Sequence, residues 1–364
     1  MLSHLKKIDW WLLLFSILLT ISGILVLINL SLGSNDWSFF WRQIIFLIIS
    51  FLVVIFLPLL DFRALKEGSL FIFTIYFISL CLLGGLFLFA PLIRGTRSWY
   101  ALGEITFEPV EIVKIVFILL FAKYFSQRHV ELYQARHIIL GGFYAFFPAI
   151  LVFFQPDFGS AMILILLWLS MMLVAGIKRN HLLIILGIGF LAFLILWNFI
   201  FTPEQKERFI TFLNPYIDPT GSGYHIIQAV IAVGSGGLFG KGFFEPLTQA
   251  KLGFLPEAHT DFVFATFSEI FGLAGIIVLF LIFGLFFWRL FKMLKICQDN
   301  FSRLLVSGFI ILVGAEVFIN IAMNIALLPI TGIPLPFLSY GGSSLLSLFI
   351  GVGIIESIRI HSQE

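Results

Sequence analysis

Charge is what this sequence has least of. Asp, Glu, Lys and Arg make up only 12% of its 364 residues, about half the roughly 25% of an ordinary soluble domain, and the mean hydropathy is +1.08. Composition alone therefore excludes a water-soluble fold. The net charge of +2 is small and no stretch gathers Lys and Arg into a block, so no nucleic-acid partner is expected. Cysteine is nearly absent. Cys81 falls inside an apolar run and Cys297 in a basic loop, which predicts two free thiols rather than a disulfide framework. The opening stretch MLSHLKKIDWWLLLFSILLTISGILVLINL has the charged front of a signal peptide. Its apolar part is too long, and no small-residue cleavage site follows, so it reads as a first span that stays. Internal repeats and low-complexity segments are also missing.

What the chain has instead is apolar length: 60% of it is hydrophobic, with 46 Phe. Ten apolar runs lie near residues 10–32, 38–60, 70–92, 107–125, 138–154, 159–177, 182–201, 262–287, 304–325 and 343–359. Each is close to the roughly 20 residues a helix needs to cross a bilayer. Only helices or closed barrels satisfy their backbone groups there. The expected fold is an all-α, polytopic integral membrane protein of ten transmembrane helices, forming a single domain over 1–364. Placing the N-terminus inside puts Lys6, Lys7, Lys123, Arg128, Arg136 and Arg289 among the cytoplasmic cations, which outnumber the outer ones two to one. Both termini are then cytoplasmic. Trp10, Trp11, Trp37 and Trp41 fall at span ends, where amphipathic rings prefer to sit.

On this topology residues 202–261 form one long extracytoplasmic loop between spans seven and eight. Connections of that length are usually functional. Inside it, YHIIQAVIAVGSGGLFGKGFF is too short to span and is expected to be re-entrant or interfacial, its Gly-rich backbone sheltered by the rest of the protein. GSGGLFGKG has the look of a phosphate loop, but no strand precedes it and no Ser or Thr follows the Lys, so nucleotide binding is not expected.

The few charged and amide residues in or beside the spans carry the functional signal. Glu257, His259 and Asp261 crowd the mouth of span eight in LGFLPEAHTDFVF, where Asp261 could be a helix cap or a catalytic carboxylate. Glu108, Glu111 and Lys114 in FEPVEIVKI share one side of a helix, and an ionisable residue at the depth of Lys114 is either an internal ion pair or a functional group. Glu316, Asn320 and Asn324 form a polar stripe in span nine, best read as helix-to-helix glue. Outside, Arg94, Arg97, Arg208, Lys241 and Lys251 either lie solvated near lipid headgroups or offer positive charge to a phosphate-bearing substrate. His259 has no His or Cys at ligand spacing, so a His-based metal site is not expected there.

The segments GTRSWYALG, FEPVEIVKI, QPDFGSAM, GSGYHIIQAVIAVGSGGLFGKGF, LGFLPEAHTDFVF and LPITGIPLPFLSYGGSS resemble, in order and spacing, the motifs of the SEDS family (shape, elongation, division and sporulation). ERFITFLNP with GKGF is nearer its RodA branch than its FtsW branch. The resemblance covers nearly the whole chain. It implies a ten-span enzyme of the bacterial cytoplasmic membrane that polymerises lipid II into glycan strands on the outer face, beside a class B penicillin-binding protein. It also implies that Asp261 is the essential acidic residue, Glu257 its companion, Lys114 the buried Lys and Trp99 the Trp of the first outer loop. The chain departs from the family in two places. Glu108, Pro109, Val110 and Glu111 stand where many relatives have Gln-Pro-Ser-Glu, and Ser98 precedes Trp99, with Arg97 one place earlier. The implied chemistry is an inverting transfer in which Asp261 takes the proton of the acceptor hydroxyl and a lipid pyrophosphate leaves. Arg97, Arg208, Lys241 and Lys251, with Mg²⁺ or another divalent cation, are expected to cover that pyrophosphate; no organic cofactor is expected. A flippase for the same lipid, or a non-catalytic scaffold, are the rival readings.

Overall fold

The structure is a computed structural model that describes residues 7–59, 66–92, 96–103, 105–128, 135–219, 221 and 223–362. Helices stand at all ten expected positions: α1 (Trp10–Ser34), α2 (Ser38–Phe56), α3 (Ser69–Phe89), α4 (Pro109–Arg128), α5 (Ala135–Phe153), α6 (Phe158–Val174), α7 (Arg179–Phe199), α10 (Val263–Ile296), α11 (Asn300–Asn324) and α12 (Gly342–Ser362). Two shorter helices, α8 (Pro203–Leu213) and α9 (Tyr224–Ser235), lie inside the long loop. Eight of the ten are long and apolar enough to cross a membrane. Of the other two, α6 has 17 residues, and α4 carries Glu111, Lys114 and Lys123.

The position of α4 explains how it tolerates those charges. It packs against α3, α5, α6, α11 and α12, and it is buried on every side. Phe117, Phe121 and Phe125 are fully buried along it, with successive ring centroids 4.5 and 5.2 Å apart. A helix enclosed by other helices can hold ionisable groups that lipid would reject. At the opposite extreme, α7 has no buried residue and exposes an apolar surface all round.

Two local features depart from a plain helical bundle. Tyr100–Leu102 and Ile105–Phe107 pair as an antiparallel ribbon, β1 and β2, turning at Gly103, whose φ of 68° suits glycine. More consequential is the break in α10 at Gly272, with φ 64° and ψ −163°. The break frees backbone groups, and the Gly-rich stretch of the long loop satisfies them. Lys241 N donates to Glu269 O at 2.9 Å, Gly242 N to Ile270 O at 3.2 Å, and Leu273 N and Ala274 N donate to Gly237 O and Leu238 O, each at 2.9 Å. A Cβ at Gly240 would stand 2.0 Å from Ile270 O, and one at Gly272 2.2 Å from Gly240 N, so both positions require glycine. GSGGLFGKG therefore serves as backbone packing for a broken membrane helix. Cys81 and Cys297 are both free thiols, as expected.

Candidate active site

The PEAHTD turn is held from three directions. From below, the polar stripe of α11 grips the backbone of Asp261: Asn320 Nδ2 and Asn324 Nδ2 each donate to Asp261 O at 3.0 Å. The same two amides reach Ile333 O and Asn320 O at 2.8 Å, while Asn324 Oδ1 accepts from Ala265 N at 3.1 Å. The stripe is thus glue of a particular kind, because it fixes the one carbonyl that sets the position of Asp261.

From the side, the segment before α12 closes over the turn. Tyr340 N donates to His259 O at 2.8 Å, and Ser339 Oγ donates to Thr260 O at 2.6 Å while accepting from Leu335 N at 2.8 Å. Gln43 of α2 bridges the segment, Nε2 donating to Ser339 O at 3.4 Å and Oε1 accepting from Gly341 N at 3.3 Å. Above it, Phe39 stacks on the His259 ring at 4.4 Å and meets Tyr340 edge-on at 4.9 Å. His259 is therefore packed between aromatic rings.

Within the turn, Glu257 has φ 52°, and across the site Phe337 has φ 67°. Such conformations cost roughly 1–3 kcal/mol in a non-glycine residue and persist only where the surroundings enforce them. Here the enforcement is visible: Glu257 O accepts from Thr260 N at 3.1 Å and from Phe262 N at 3.2 Å, and Glu257 Oε2 accepts from Thr260 Oγ1 at 3.2 Å. Glu257 also faces His225 on α9. Burial holds His225 below the usual histidine value, and the Glu257 carboxylate offsets only part of that. The N-cap of α10 is Phe262, which makes no side-chain cap, so Asp261 does not occupy the capping position. Glu257, His259 and Asp261 are all half-buried.

The second expected constellation lies deeper. Lys114 Nζ donates to Glu111 Oε1 at 2.8 Å and to Glu316 Oε1 at 2.5 Å, and all three residues are at most 3% exposed. Glu316 lies four residues before Asn320 on the same stripe of α11, so the ion cluster and the Asp261 clamp share one helix face. Nearby, Trp99 Nε1 donates to Glu108 Oε2 at 3.1 Å, and Glu108 N donates to Ser343 Oγ at 3.0 Å. The extra carboxylate of Glu108 therefore ties the Trp99 loop to the entrance of α4, while the Glu108 backbone N–H makes the link to α12.

Of the outer cations expected over a phosphate, Lys241, Lys251 and Arg97 each have a protein partner. Lys241 is bound to Glu269 Oε1 at 2.6 Å, and the carboxylate of Glu269, fully buried, also accepts from Gln249 N at 2.9 Å. A buried carboxylate demands a cation of its own. Lys251 points its ammonium at Glu245 O at 2.8 Å, with burial lowering its pKa. Arg97 is exposed, its Nη1 donating to Phe87 O at 3.3 Å. Arg94 and the side chain of Arg208 lie outside the described residues. Among the described residues, no group of three or more His, Cys, Asp or Glu is placed to hold a metal ion. Sequence reasoning missed Phe39, Gln43, Ser339 and Ser343. Only the last two carried a signal, in LPFLSYGGSS.

Comparison with known proteins adds an independent line. The FTSW_RODA_SPOVE profile, described as "Cell cycle protein", matches residues 4–364. The chain is 38% identical over 291 residues to the peptidoglycan glycosyltransferase MrdB of Escherichia coli K12, covering 79% of this chain and 77% of that protein. It is 32% identical to the stage V sporulation protein E of Bacillus subtilis, over 98% of both chains. Among solved structures, a chain from work on polymerization and crosslinking by a peptidoglycan synthase complex superposes with a TM-score of 0.81 at 28% identity, covering 98% of this chain and 99% of that one. The Thermus thermophilus rod shape determining protein RodA superposes with a TM-score of 0.71 at 28% identity, over 98% of each chain.

Proposed function

The chain belongs to the FTSW_RODA_SPOVE family, and from that premise we propose how it works as a peptidoglycan glycosyltransferase polymerising lipid II. The Asp261 carboxylate takes the proton from the acceptor sugar hydroxyl as its oxygen bonds to the anomeric carbon of the donor. The bond from that carbon to the lipid pyrophosphate breaks on the opposite face, inverting the configuration. A hydroxyl is a poor nucleophile, and a positioned base at this step typically contributes about 10²–10⁴-fold. The observation that carries the reading is the clamp: Asn320 and Asn324 hold the backbone of Asp261 while the residue stays half-exposed.

In this proposal the termini are cytoplasmic, the Asp261 turn faces the outside of the bacterial cytoplasmic membrane, and the outer loop admits the sugars. Glu257 and His259 shape the turn. Lys114, Glu111 and Glu316 act as a buried brace, and Trp99 with Glu108 closes the side next to α12. A class B penicillin-binding protein docks on the spans and crosslinks the strands, a role supported by the likeness to a chain of a peptidoglycan synthase complex. In this proposal the enzyme serves cell elongation and shape, a reading supported by the likeness to the rod shape determining protein RodA. A flippase would expose its intramembrane charges to both sides of the membrane, whereas Lys114 is buried and paired with two carboxylates.

The test is purified protein, alone and with its candidate partner, incubated with lipid II in detergent. Muramidase-sensitive strands on a gel support polymerisation. Movement of lipid II across vesicles without strand formation would return the flippase reading.

A further inference from the structure

The end of α4 remote from Asp261 borders a cleft. That helix starts at the Glu108–Ser343 contact beside the active-site turn and runs to Arg128, roughly 28 Å away at about 1.5 Å per residue. There a cleft of about 250 Å³ opens between the last turn of α4, the first turns of α5 and the start of α3. Its rim carries Lys123, Arg128 and Arg136, with Gln127 as a further donor, and no Asp or Glu lines it among the described residues. Glu67 acts electrostatically on Lys123. Lys123 is anchored at its post, its ammonium donating to the Lys66 carbonyl, whereas Arg128 and Arg136 are exposed.

The floor is of the opposite character. Phe73, Leu120 and Leu140 line it, and it continues onto a face that the bilayer would cover, where Ile139 is 69% and Phe143 65% exposed. A bias of Lys and Arg to one side of the membrane accounts for cations at this end. It does not account for a formed cleft with a cationic rim, an apolar floor and no lining acid. Guanidinium forks match phosphate oxygens, and an apolar floor matches a hydrocarbon chain.

We propose that this cleft binds the phosphate of an anionic amphiphile, with Arg128, Arg136 and Lys123 on the phosphate and one acyl chain over Phe73 and Leu140. The source is an anionic phospholipid of the leaflet opposite the Asp261 turn. Soluble phosphate shares the headgroup chemistry but has no use for the floor.

The full-length protein in detergent, titrated with dioctanoyl phosphatidylglycerol, dioctanoyl phosphatidylcholine or inorganic phosphate and followed by native mass spectrometry, tests this. Phosphatidylglycerol is expected to be retained at least about tenfold over phosphatidylcholine. The Arg128→Gln/Arg136→Gln variant, altered only at exposed positions, should lose roughly 30-fold in that affinity, at about 1 kcal/mol per cation. Arg128→Lys/Arg136→Lys, melting as the wild type does, should keep most of the preference. Displacement of the lipid by millimolar phosphate would uphold the anion site and assign it to a soluble ligand. Equal retention of the two lipids, or an unchanged affinity in the Gln variant, would overturn the proposal.

Discussion

Asp261 and Lys114 both sit against the polar stripe of α11, one at its end and the other about 12 Å deeper along the helix, yet their surroundings differ in kind. Lys114 is enclosed and saturated, its ammonium held by two carboxylates and its side chain 3% exposed. For Asp261 the backbone is what the stripe holds, and the residue remains half-exposed beside a turn forced into a positive φ at Glu257. An ion cluster buried in this way resists change, because removing one member leaves the others charged and unpaired. A residue fixed through its main chain can present its side chain in one set direction. The same helix face thus supplies rigidity at depth and, in the proposed mechanism, reactivity at the surface.

Substitutions should separate the two centres. The largest effect is expected for Asp261→Asn, which keeps the shape and the backbone clamp while losing the base: polymerisation from lipid II should fall about 10²–10⁴-fold with an unchanged unfolding midpoint. Lys114→Met should act through the fold instead. It leaves Glu111 and Glu316 without their cation, at about 3–5 kcal/mol of stability, read as a lowered midpoint in detergent, with Lys114→Met/Glu316→Gln recovering part of it. Asn320→Leu lies between these cases. Losing one donor to Asp261 O should cost about 1–3 kcal/mol and slow turnover about tenfold through misplacement of the carboxylate, with KM little changed. Arg97→Gln should matter least, since an exposed side chain making one bond of 3.3 Å changes stability by less than about 0.5 kcal/mol.

How much of this the sequence discloses follows from the range of the forces involved. Helix positions are set by apolar runs within one segment, so all ten were legible, although only eight of these helices are long and apolar enough to cross a membrane. Free thiols and the Glu111–Lys114 pair were legible for the same reason, being local. Partners drawn from far along the chain were not. Glu316 meets Lys114 across 202 residues, Tyr340 N meets His259 O across 81, and nothing near Lys241 announces that Glu269 will claim it. The break of α10 at Gly272 was hidden inside a continuous apolar run, because hydropathy does not register a single residue that turns to positive φ. The β1–β2 ribbon was too short to leave a periodic trace.

The most direct test of the central claim puts Asp261→Asn and Lys114→Met side by side in one assay: single-turnover polymerisation of purified lipid II with the partner present, scaled to the folded fraction of each variant. The account predicts a folded Asp261→Asn protein that makes no long strands, and a Lys114→Met protein whose activity per folded molecule matches the wild type. An Asp261→Asn protein that builds strands at the wild-type rate would contradict it.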